Sequence, residues 1–121
     1  MNVTHLLSLA EHAVSRAGKP ATAIAHDCED ARSVVFRITP GQEVAAHTSP
    51  SSVALVVLDG MGTVTGANGE RIVSRGDLVT YEPDEPHAMR AMSGTLVLLA
   101  LITPRPGVRQ AAEPVTLAHA G

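Results

Sequence analysis

Aromatic side chains are nearly missing from this chain: one Phe, one Tyr and no Trp among 121 residues. A core must therefore be filled by Val, Leu, Ile, Ala and Met. Cys28 is the one cysteine, so an internal disulfide is impossible and no CxxC metal or redox pair exists. That fits a reducing compartment, and nothing beside Cys28 marks an activated thiolate. Basic residues are few and scattered. Nine Lys and Arg at a net charge of −3 do not make a phosphate-binding stripe, so nucleic acid is not an expected partner. No stretch reaches the roughly 18 apolar residues of a membrane span, and the N-terminus lacks the basic start and apolar run of a signal peptide. The expectation is a cytoplasmic protein that does not contact a membrane. What is present, 45% hydrophobic and 17% charged residues, suffices for one domain with a real core.

Read in order, the chain divides into three parts: 1–20, 21–103 and 104–121. In the first, Val3, Leu6, Leu7, Ala10, Ala13 and Val14 recur at helical spacing, which predicts an amphipathic helix over 3–16. Asn2 or Thr4 can cap its start, and Gly18 before Lys19-Pro20 ends it. His5 and His12 read as solvated surface residues. From Ala21 the pattern changes to short strands broken by Gly and Pro turns. Strands are expected at 22–26, 33–38, 43–47, 53–59, 63–65, 71–74, 78–81, 87–92 and 95–102. Val34, Phe36 and Ile38 share one face of the second. The runs at 53–59 and 95–102 are apolar on both faces and need cover on both sides. Asn68-Gly69 predicts a tight hairpin, because both residues tolerate positive φ. Many short strands with one terminal helix indicate an all-β sandwich or barrel. The tail from 104, with Pro104, Pro106, Pro114 and His119, reads as mobile or laid along a neighbour.

The organising stretch is 41–87, two glycine-opened segments that each hold one histidine. Gly41, His47, Ser49, Val53 and Gly60 keep every step of a pattern that runs Gly, His, His, Glu, Gly in the cupins. Gly76, Glu82, Asp84, His87 and Ala91 fall on a second pattern that runs Gly, Pro, Gly, His, Asn, with the proline displaced to Pro83. The chain thus resembles a small single-domain cupin of the RmlC-like superfamily. The resemblance covers roughly 21–103 and implies a double-stranded β-helix, or jelly-roll barrel, behind a short N-terminal α-helix. His47-Thr48-Ser49-Pro50, together with the lead-in Ala17-Gly18-Lys19-Pro20, is similar to a subgroup with His-x-x-Pro in the first motif. The members of that subgroup are mostly stand-alone barrels without an assigned role.

An intact cupin site converges three imidazoles and one carboxylate on a divalent metal: Fe, Mn, Ni, Cu or Zn. This chain keeps His47 and His87. Ser49 is a poor ligand and Val53 is none, so the carboxylate that offsets a dication is lost. Glu43 is the candidate replacement, because strand alternation puts Glu43, Ala45 and His47 on one face; His26 is another. Two functional readings follow. In one, the barrel binds a small, mostly apolar ligand in its lumen near His47 and His87, against Phe36, Val53 and Met89. Glu82, Asp84 and Glu85, if they lie near His87 in space, would raise its pKa; otherwise the acidic run is only a solvated turn. In the other, a metal held by His47, His87 and Glu43 serves a dioxygenase- or isomerase-like enzyme. A non-catalytic barrel with a closed lumen and a metal-free His87/Tyr81 acid–base pair are weaker variants. Barrels of this size often cover an outer sheet face by pairing, so a homodimer is expected.

Overall fold

The computed structural model describes residues 1–107. Among these residues the chain forms one helix, α1 (Leu6–His12), and nine strands. The strands are β1 (Ala21–Asp27), β2 (Arg32–Ile38), β3 (Glu43–His47), β4 (Ser52–Asp59), β5 (Met61–Gly66), β6 (Gly69–Ser74), β7 (Leu78–Tyr81), β8 (His87–Ala91) and β9 (Leu96–Thr103). They pair antiparallel into a five-stranded sheet, β1-β2-β9-β4-β7, and a four-stranded sheet, β3-β8-β5-β6. Consecutive strands from β2 onward mostly alternate between the sheets, which is the jelly-roll arrangement expected from the sequence.

Period-two patterning explains how the sheets face each other. In the larger sheet Val34, Ala100, Leu55 and Val79 form one row, and Phe36, Leu98 and Val57 the next. These side chains meet Val64, Val73 and Met89 of the smaller sheet in the main core, as the shared face of Val34, Phe36 and Ile38 predicts. The alternate residues Val35, Val97, Leu58 and Leu99 point the other way, where Leu6, Leu9 and Ala10 of α1 cover them. The helix is thus half of the answer to strands that are apolar on both faces.

Three local expectations need correction. The helix spans seven residues, not fourteen. His5, not Asn2 or Thr4, is its N-cap, with Nδ1 accepting from Ser8 N at 3.3 Å. Its end is set by the barrel: Arg37 Nη1 donates to the carbonyls of Ala10 at 2.6 Å and Glu11 at 2.9 Å, and Ala13 is already extended. A guanidinium that takes up terminal carbonyls is a helix stop that periodicity cannot show. The hairpin turn is Ala67-Asn68, closed by the pair Gly66 and Gly69, so Gly69 alone of the expected two takes positive φ. Finally, a bulge between Val44 and His47 breaks the alternation of β3. Of the tail, the Pro104 carbonyl accepts from Ser51 Oγ at 2.7 Å, and Arg105 pairs with Asp27. His119 lies outside the described residues.

Candidate functional site

β3 and β8 run side by side, and their register sets His47 directly opposite His87. The two imidazoles meet edge to face, with ring centroids 4.2 Å apart. Each ring bonds a carbonyl two residues back in its own strand or turn: His47 Nδ1 to Ala45 at 2.9 Å and His87 Nδ1 to Glu85 at 3.0 Å. A carbonyl only accepts, so each Nδ1 carries a proton, and burial of His87 favours its neutral ring, whose Nε2 then keeps its lone pair. The convergence of two histidines forty residues apart is the arrangement that the two motifs imply.

Behind His87 stands Tyr81, at the end of β7. Its ring stacks on the imidazole at 4.7 Å, and its hydroxyl donates to the Thr65 carbonyl at 3.0 Å. Gly66 permits this closeness, since a Cβ there would lie 3.2 Å from Tyr81 Cε1 and 2.9 Å from Glu85 Oε2. Both Glu85 oxygens are held by backbone amides, Oε1 by Glu82 and Oε2 by Ala67, each at 3.0 Å. Those amides keep the Glu85 carboxyl below its usual range. Burial, helped by the Glu85 charge, pushes the Tyr81 phenol up to about 12. Burial also pushes His87 down, and it outweighs the raising effects of the Glu85 carbonyl and carboxylate. The upward shift that a nearby acidic run would give His87 does not prevail: at 3% exposure, desolvation of the cation wins.

Glu43 does not join the histidines. It pairs with Arg90, while Val44 pairs with Met89 and His47 with His87. The bulge returns His47 to the face of Val44, so the shared face expected for Glu43, Ala45 and His47 does not form. Glu43 lines a hollow on the outer side of the sheet. His26 sits opposite Ser33 at the far edge of the other sheet. Ser49 Oγ is occupied in accepting from Ser51 N at 3.1 Å. Among the described residues no three His, Cys, Asp or Glu side chains gather closely enough to hold a metal. Two imidazoles without a carboxylate do not fit a resident divalent cation, which takes at least three protein ligands in the usual catalytic sites.

Phe36, Val53 and Met89 all belong to the main core. Space opens beside them, at the edge where β6 and β7 come together. A cleft of about 360 Å³ opens there, with Val64, Val73, Val79 and Tyr81 as its apolar wall and Asn68, Arg71, Asp77, Thr80 and Glu85 as polar lining. His47, His87, Phe36 and Val53 do not line it. Tyr81 is the link, one face of its ring on His87 and the residue itself in the cleft wall. Sequence reading missed Arg71, Val73 and Val79 as cleft residues. Alternation from Tyr81 back to Val79, and across the hairpin from Val64 to Arg71, is the signal that finds them.

The comparisons agree with this architecture. A structure of TT1209 from Thermus thermophilus superposes with a TM-score of 0.79 at 23% identity, covering 88% of this chain and all of that one. An RmlC-like cupin from Desulfovibrio desulfuricans gives 0.74 at 26% identity, with 87% and 98% covered. KdgF from a Halomonas species gives 0.72 at 20% identity, with 78% and 90% covered. No curated protein matches the chain. The sequence pattern of the cupin domain matches residues 34–102, more than half of the chain, and the protein belongs to the cupin family.

Proposed function

We propose that this cupin barrel binds a small, mostly apolar molecule in the cleft between its sheets, beside Tyr81 and close to His87 and His47. The observation that carries this reading is the cleft itself. About 360 Å³ lies at the small end of the range for ligand pockets, its wall combines Val64, Val73, Val79 and Tyr81 with the polar Arg71, Asp77, Thr80 and Glu85, and it reaches the ring that stacks on a buried histidine. Arg71 gives a ligand one polar anchor. The alternative, a metal-dependent dioxygenase- or isomerase-like enzyme, is disfavoured by a donor set of two imidazoles. The chain has one Tyr and no Trp, so its intrinsic fluorescence reports on Tyr81 alone. Titration with a panel of small cyclic and branched carboxylic acids and alcohols should give a saturable change for at least one class. The change should be lost in Val73→Trp, read by displacement, because the larger side chain fills the cleft. A panel that leaves the emission unchanged at millimolar concentrations contradicts the reading.

We also infer that two copies pair through the outer face of the five-stranded sheet. The part of that face beyond α1 keeps Leu78 64% and Leu101 37% exposed, on either side of the half-buried Val56 and Ala54. Neighbouring apolar residues on one sheet face support a packed interface.

A further inference from the structure

The cleft beside Tyr81 is built from pieces of chain that do not pair with each other. The β5–β6 hairpin supplies one side, from Val64 to Val73, and β7 with Glu85 supplies the other. The hairpin belongs to the four-stranded sheet, with β6 at its edge, and β7 is an edge of the five-stranded one. At one end the chain itself joins the two sides, through the turn that leads to Asp77. At the other end the hairpin tip overhangs its sheet. The last pair that β5 makes with β8 is Thr65 with Ala88, and Gly66 to Gly69 lie beyond it.

Two hydrogen bonds tie this tip to the opposite side. The Tyr81 hydroxyl donates to the Thr65 carbonyl at 3.0 Å, and the Ala67 amide donates to Glu85 Oε2 at 3.0 Å. The first joins neutral groups. The second ends on a carboxylate, and such charge-assisted bonds are roughly twice as strong. Glu85 is itself held in place. Its Oε1 accepts from the Glu82 amide at 3.0 Å, and its own amide donates to the Glu82 carbonyl at 3.1 Å. Pro83 fixes one φ of that turn, and the Asp84 amide donates to the Ser49 carbonyl at 2.7 Å. The tip has less bracing: Ala67, Asn68 and Gly69 are exposed, and Gly66 and Gly69 flank the turn. A braced turn thus presents one carboxylate to a hairpin end with a glycine on either side.

We propose that Glu85 is a clasp that sets the width of the cleft. Its carboxylate draws the hairpin tip onto the β7–β8 turn and fixes the distance from the hairpin side to Tyr81. With the clasp released, the tip swings away about its glycines and the cleft admits bulkier molecules. Glu85 is a positioning residue for whatever the cleft holds, because amides already occupy both of its oxygens. The functional meaning rests on the reading of the cleft as a ligand site, but the clasp is tested without a ligand.

The test uses the full chain and two probes. Hydrogen exchange of the Ala67 amide, followed by NMR, reports the clasp bond. Quenching of the single tyrosine, Tyr81, by acrylamide and by the bulkier succinimide reports access to the cleft. Glu85→Ala should speed exchange at Ala67 about tenfold and raise both quenching constants, that of succinimide more. Glu85→Gln keeps one acceptor oxygen but turns an N–H donor toward the other amide, so it should fall between the alanine variant and the unaltered protein. Glu82→Gln, a neighbouring change of charge, and Gly41→Ala, which strains the β2–β3 turn, should leave both probes as they are. Unchanged exchange at Ala67 in Glu85→Ala, unchanged quenching, or an equal rise in Gly41→Ala would overturn the proposal. Failure of a ligand panel to bind contradicts the ligand reading alone, whereas unchanged exchange at Ala67 contradicts the clasp alone.

Discussion

His87 and Tyr81 are the residues whose chemistry is most altered by the fold. Burial holds the imidazole of His87 below its ordinary 6.5, so the folded chain favours the neutral ring. As pH falls, the unfolded chain takes up the proton first. The contribution of His87 to stability is therefore complete above about 6.5 and is lost as pH drops from there through the folded value. The urea midpoint should decline as pH falls below about 6.5, and His87→Gln should flatten that decline. An identical slope in the variant would show that the titrating group lies elsewhere. Tyr81 shifts the opposite way, from 10.0 to about 12. With a single tyrosine in the chain, an absorbance titration near 295 nm reads it without overlap, and the expected midpoint is near 12. A midpoint near 10 would mean that the ring is not enclosed. Both histidines were legible in the sequence, because glycine-to-histidine spacing survives even where ligands are replaced. The stacking of Tyr81 on His87 was not, since a turn separates them and alternation does not carry across it. Asp84 shows a departure that the fold absorbs. It stands where the cupin pattern has glycine and adopts φ 65°, a conformation that Asp tolerates better than most side chains.

At the scale of elements, the strands were the most readable part. The expected runs at 43–47 and 78–81 match β3 and β7 residue for residue, and the other strands differ by a few residues at their ends. Alternation and Gly/Pro punctuation are local signals, and a two-sheet barrel obeys them. The helix length and the orientation of Glu43 were not readable, because each depends on a distant partner: Arg37 docking on carbonyls of α1, and a bulge stabilised within the β3–β8 pair. Glycine positions test the crossing between the sheets. Gly60, between β4 and β5, has φ +83°, and a Cβ there would collide with the Thr95 carbonyl group. Gly41 has a similar φ of +89° with nothing within 4 Å. Gly41→Ala should lower stability by about 1 kcal/mol, the strain alone. Gly60→Ala should lower it by about 3 kcal/mol or more, because backbone must also move. Equal urea midpoints for the two variants would contradict the close approach of the β4–β5 bend to β9.

For the whole molecule, one domain with its core between two sheets was legible from composition and turn spacing. The place where that core opens was not. The interior between the sheets is packed by Val53, Leu55, Ile38 and Met89, and the cleft opens at the β6–β7 edge. The proposed dimerisation likewise rests on the assembled surface. Light scattering at micromolar concentration should return twice the mass of the 12.5 kDa chain, and Leu78→Glu with Leu101→Glu should return the single mass. A monomer in the unaltered protein would contradict the paired sheet faces. The central claim, that a ligand sits against Tyr81 with His87 behind it, is reached most directly by intermolecular nuclear Overhauser effects in a complex with the tightest compound from the panel. The account predicts cross-peaks from the ligand to the Tyr81 ring and to the methyls of Val73 and Val79. Contacts confined to the outer faces of the sheets would contradict it.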